Sequence, residues 1–187
     1  KCIQLANQLN DEQLMAELYA LYAELNFNTS AYVLYNLKAI ELQKKVGISH
    51  FVYVANRYFN VSLGLYLNED YKQSINYGLK FLLLDYSDKR ETDRDPDLHT
   101  DVIGAAYFRM GKLDSSKYYY QRLLDTLIKK PHTSHQQLWV AIAKGNIGRV
   151  LALQNQEDKA IPLINEHLQT SLALNSFNNA ALAENNI

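Results

Sequence analysis

Ile103-Gly104-Ala105-Ala106-Tyr107-Phe108-Arg109-Met110-Gly111-Lys112-Leu113-Asp114-Ser115-Ser116, continuing to Tyr120 and Leu123, is the stretch that decides the fold. Its apolar residues recur at helical spacing on both sides of Gly111, which marks a turn between two helices. Gly104 has no side chain and falls on the first helix, while the small residue Ser116 opens the second. Two small residues facing each other let the helix axes approach closely, and the large neighbours fill the space around that contact. The pattern therefore specifies size rather than chemistry, and a large residue at Gly104 should overpack it.

The same frame recurs along the chain. Ile147-Gly148, Leu151, Asn155 and Ala160 repeat it well, and Val61-Ser62, Leu65, Glu69 and Ser74 repeat it more loosely. Leu18-Tyr19, Tyr22, Asn26 and Ala31 form a fourth copy with bulky Tyr19 where a small residue belongs. Tyr19 to Ser62 is 43 residues, Ser62 to Gly104 is 42 and Gly104 to Gly148 is 44.

The unit around Gly104 resembles a tetratricopeptide (TPR) repeat, with serine in place of the usual alanine at Ser116. That resemblance implies an all-α fold, a right-handed α-α superhelix of antiparallel helical hairpins. The spacing exceeds the ~34 residues of the common repeat. It is similar to the lengthened arrays of bacterial signalling proteins, such as sensor kinases and regulators. The implied organisation is one repeat domain over residues 1–187, with roughly four hairpins and the start of a fifth. The start at Lys1 without methionine, and the end at Ile187 inside an apolar-periodic stretch, read as a piece of a longer protein.

Working outward, periodicity predicts a helix over Asp11–Asn26 and a second ending at Gly47. A third covers about Ser49–Leu67, and Asp70 with Gln73 reads as a capping box opening the fourth. Ser87–Asp97 is charged, free of apolar residues and read as a solvated loop. A fifth helix ends near Met110, Asp114 caps a sixth reaching Lys130, and Ser134 with Gln137 opens a seventh. Asp158 caps an eighth with Pro162 in its first turn, where no helical bond is lost, and a ninth starts at Ser176.

Composition narrows the function classes. Nineteen basic against twenty acidic residues leave a net charge of -1, which draws the chain neither to nucleic acid nor to an anionic membrane. Apolar runs such as Phe81-Leu82-Leu83-Leu84 are far shorter than the ~20 residues of a membrane span. The single Cys2 makes no intramolecular disulfide. Whether the domain is cytoplasmic or the extracytoplasmic part of an anchored sensor is left open.

No catalytic, metal or cofactor site is expected. His132-Thr133-Ser134-His135 lacks the further ligands that zinc needs and reads as a polar interhelical turn. His50, His99 and His167 have no motif-placed nucleophile or orienting acid, and no phosphate-cradling loop follows Gly104 or Gly111. Fourteen tyrosines raise the question of base stacking, but Tyr22, Tyr71, Tyr107 and Tyr120 occupy positions that fill helix interfaces.

The family resemblance implies a groove lined by the first helices of successive hairpins. Its candidate partner-binding residues are Asn56, Phe59, Asn60 and Tyr66, then Asp101, Ala105 and Arg109, then Asn146 and Arg149. The expected partner is a protein, a peptide or an output domain of the same chain, and homo-oligomerisation is compatible with this. The lysine-rich carboxylate clamp of some family members is not reproduced. A purely structural array is the rival reading, and nucleic-acid binding ranks below both.

Overall fold

The computed structural model describes residues 1–27, 29–51, 54–83, 97–130 and 133–185, and among these every regular element is helical. In order they are α1 (Cys2–Gln8), α2 (Glu12–Leu25), α3 (Ser30–Val46), a 3₁₀ turn (Ile48–His50), α4 (Val54–Leu67) and α5 (Tyr71–Leu82). They continue as α6 (Asp97–Arg109), α7 (Leu113–Leu127), α8 (Ser134–Leu153), α9 (Glu157–Ala173) and α10 (Phe177–Glu184). The protein is all-α, and consecutive helices pack as hairpins. They divide into two compact units, Lys1–Val102 and Ile103–Ile187.

In the first unit, α2 packs on α3, α3 on α4 and α4 on α5. Ile40, Phe51, Val54, Tyr58, Val61 and Phe81 form its core. In the second, α7 packs on α8, α8 on α9 and α9 on α10. Tyr120, Ile147, Val150, Leu151 and Ile164 form one cluster there, and Leu123, Leu127 and Ala143 another.

The small positions are close helix contacts, as the repeat reading requires. Ser116 Oγ donates to the Gly104 carbonyl at 2.9 Å, and Ser62 Oγ donates to the Ser74 carbonyl at 2.8 Å. A methyl group built on Gly148 would lie 2.8 Å from Ile164 Cγ1 and 3.0 Å from the Ala160 carbonyl oxygen. The first copy needs correcting. In the later hairpins the first helix ends at Leu67, Arg109 and Leu153, five residues beyond Ser62, Gly104 and Gly148. The same count back from Leu25, where α2 ends, lands on small Ala20 rather than Tyr19, which stacks on Tyr35 at 5.9 Å.

One backbone turn is used repeatedly. Asn10, Glu69, Gly111, Asn155 and Asn175 all have positive φ. The next residue's N–H reaches back to the helix, Asp70 to the Leu65 carbonyl at 2.9 Å and Lys112 to Tyr107 at 3.0 Å, which is the Schellman arrangement. The following helix then begins at once, which displaces several expected caps. Lys112 and Gln156 hold the N-cap positions of α7 and α9, so Asp114 and Asp158 sit in the first turns instead. Their carboxylates face the positive helix end there. Pro162 lies deeper in α9 than expected and forfeits one bond, to the carbonyl of Asp158.

Thr133, not Ser134, caps α8, accepting from Gln136 N at 3.1 Å. Asp70 does cap α5, accepting from Gln73 N at 3.2 Å, and Gly47 ends α3 with φ 116°. The third expected helix starts later than Ser49, which belongs to the 3₁₀ turn. Asp97 opens α6 rather than closing the charged loop, whose residues 87–96 lie outside the described residues. The N-terminal α1 went unread because its seven residues carry no flanking cap signal.

Glu69 is the one positive-φ residue in these turns that is neither glycine nor asparagine, at φ 63°. Glu69→Gly should therefore raise stability by about 1 kcal/mol, measured by urea denaturation. An unchanged or lower midpoint would show that the turn stores no such strain.

Candidate functional site

The candidate groove residues divide by burial. Asn56 and Asn60 on α4 are interior, 5% and 2% exposed, so the expectation that they face a partner is corrected. Asn60 Nδ2 donates to Glu24 Oε1 at 2.9 Å and lies 3.4 Å from Asn36 Oδ1. Beside it Arg57, also buried, donates to Asn36 Oδ1 at 3.1 Å and to the Ala20 carbonyl at 3.3 Å, and pairs with Glu24 at 3.0 Å. This network ties α4 to α2 and α3. Its members are polar where the frame allows an exposed face, and only the packing of three helices shows that the face is covered.

Phe59 and Tyr66 are half-buried. Phe59 meets the edge of buried His99 at 4.3 Å, while that imidazole stacks on Phe81 at 3.5 Å. Tyr66 packs beside Tyr71 at 5.7 Å. Asp101 is half-buried in the same unit. In the second unit Arg109 is exposed, Ala105, Asn146 and Arg149 are half-buried, and the Arg149 guanidinium lies 4.7 Å over the Phe108 ring. Tyr120 is buried, whereas Tyr22, Tyr71 and Tyr107 are half-buried, with Tyr107 stacked on Tyr119 at 5.4 Å.

Behind Arg149, the buried His167 on α9 occupies the space left by Gly145 on α8. A methyl group built on Gly145 would lie 2.8 Å from its Cγ. Burial, reinforced by the Arg149 cation, pushes the His167 pKa below the ordinary imidazole range, and its Nε2 has no hydrogen-bond partner. The unfolded chain, with a pKa of ~6.5, takes up this proton first. The stability that His167 confers is therefore complete above about pH 6.5 and is lost as pH falls toward the lowered value. Denaturation midpoints at about pH 7.5 and pH 5.5 should differ more in the parent than in His167→Gln, and equal differences would contradict this.

His135 accepts from Trp139 Nε1 at 3.1 Å through its Nε2, and His132 lies outside the described residues. Among the described residues no three His, Cys, Asp or Glu side chains are grouped to hold a metal ion. No helix among them is long and apolar enough to cross a membrane.

No protein family matches the sequence, and no curated protein matches it. Among solved structures, BtubC (BKLC) from P. vanneervenii superimposes with a TM-score of 0.75 at 15% identity, over 88% of this chain. The chain spans 66% of that protein's length. At this identity the likeness concerns the fold.

Proposed function

We propose that the chain is a TPR-type interaction scaffold that binds a protein or peptide partner, as the sensory or regulatory module of a larger signalling protein. The observation that carries this reading is the serial use of one hairpin design, which presents polar side chains on its first helices while small residues seal the interior. With Asn56 and Asn60 committed to the interior and Phe59 packed on His99, the first unit keeps Tyr66 and Asp101 as candidate contacts, and the second unit, taken by itself, keeps Arg109, Asn146 and Arg149. Arginines at such positions suit carboxylates and backbone carbonyls of an extended peptide.

Displayed random peptides selected on the immobilised chain, then measured by fluorescence anisotropy, test this. Arg109→Ala or Arg149→Ala should weaken the selected peptides about ten-fold. No enrichment, or unaltered affinity in both variants, would overturn the reading.

A structural array that packs against copies of itself is the second reading. It is favoured by the exposed Leu5, Leu9, Leu21, Leu25 and Phe27 at the N-terminal helices. Light scattering over a concentration series separates it, because a constant monomer mass excludes it.

A further inference from the structure

Away from the groove residues, three helices of the first unit form an open cleft of ≈ 280 Å³, lined by Lys44, Tyr58, Lys80 and Leu83. Lys44 comes from α3, Tyr58 from α4, Lys80 from α5, and Leu83 caps α5. Lys44 Nζ sits 5.7 Å over the Tyr58 ring and Lys80 Nζ 4.6 Å over the Tyr77 ring. Those two rings lie 6.4 Å apart, and both lysines line the cleft.

Neither lysine makes an ion pair among the described residues, in contrast to Lys45, paired with Glu12, and Lys144, paired with Glu166. No carboxylate among the described residues lines the cleft. The Tyr58 ring is buried, while its phenol oxygen makes no hydrogen bond among the described residues and is open to solvent at the cleft. Leu83, 86% exposed, supplies an apolar lip.

We infer that this cleft binds a phosphoryl group carried next to an apolar or aromatic body. Two ammonium point charges and one hydroxyl donor meet the several acceptor oxygens of a phosphate monoester. Arginine forks, which suit planar carboxylates, are absent from the lining. The space takes one side-chain-sized group rather than a lipid chain.

The test titrates the full chain with phenyl phosphate at low ionic strength, following the backbone amide signals of Lys44, Lys80 and Leu83 by NMR. The expected result is saturable shifts confined to this patch, with affinity falling about ten-fold or more in Lys44→Gln/Lys80→Gln. Both of these side chains are exposed, so the fold is retained. Tyr58→Phe keeps the ring and should lose a smaller factor, whereas Lys45→Gln next door should lose none. Absence of saturable shifts, or unchanged affinity in the double variant, overturns the assignment, and benzoate binding as tightly overturns the choice of phosphate. A phosphotyrosine peptide binding about ten-fold tighter than phenyl phosphate assigns the group to a protein partner, and equal affinity assigns it to a small phosphate ester. Both of these results support the site, whatever the peptide selection on the groove residues returns.

Discussion

Asn36→Leu is expected to lower the unfolding free energy by about 3 kcal/mol, because it removes the acceptor on which the buried network of the first unit converges. Asn36 is fully buried, and its own Nδ2 donates to the Tyr32 carbonyl at 2.8 Å while its Oδ1 receives Arg57 and faces Asn60. Leucine has the same branching at Cγ and is somewhat bulkier, so no cavity is left and the cost is that of the lost polar contacts plus some overpacking. Arg57, with 8% of its side chain exposed, keeps Glu24 and the Ala20 carbonyl but cannot reach enough water to replace the lost acceptor. Glu24→Gln is the control. Its side chain is 43% exposed, so solvent screening should hold the loss to about 1 kcal/mol or less. Urea denaturation of both variants checks the ranking. A parent-like midpoint for Asn36→Leu would mean that Arg57 swings out to solvent and that the network contributes no net stability.

Gly104→Leu should cost about 3 kcal/mol, near the upper end for overpacking a well-filled interior. A methyl group built on Gly104 would already lie 2.8 Å from Tyr120 Cε1 and 2.9 Å from its Cδ1, and the Tyr120 ring is 3% exposed with nowhere to move. The Ser116 hydroxyl bonded to the Gly104 carbonyl holds the backbones at this separation, so the added side chain must push α6 and α7 apart. The melting temperature should fall by roughly 6–12 °C for a chain of this size. Gly111→Ala offers a comparison in which sterics are absent, because nothing lies within 4 Å of the added methyl group and only φ +68° opposes it. If Gly104→Leu costs no more than Gly111→Ala, close packing at the small positions is not what holds the hairpins together.

Much of the architecture was legible in one dimension because helix periodicity and the small-residue spacing are local, size-based signals. Ser62 with Ser74, Gly104 with Ser116, and Gly148 with Ala160 each sit at one separation along the chain, and each proves to be a close contact. Helix caps were legible only where a side chain performs the capping, as at Asp70. Where the backbone turn itself sets the next helix, as at Lys112 and Gln156, the capping side chain carries no signal, and Asp114 and Asp158 resemble caps while lying in the first turns.

The candidate site divides along the same line. The spacing placed Asn56, Asn60, Arg109 and Arg149 alike on first helices, but whether a position is covered depends on which neighbouring helix lies against it. α2 and α3 bury Asn60 through Glu24 and Asn36, while Arg109 stays at the surface. The contact of Gly145 with His167, and the cleft that Lys44 and Lys80 both line, join residues far apart in the chain, with no repeat spacing to announce them. The sequence by itself determined the hairpins and their close seams, since those follow from side-chain size at fixed intervals. Only the tertiary structure decided which polar residues are interior and which charges remain unpaired, because burial and pairing are properties of three or more helices together.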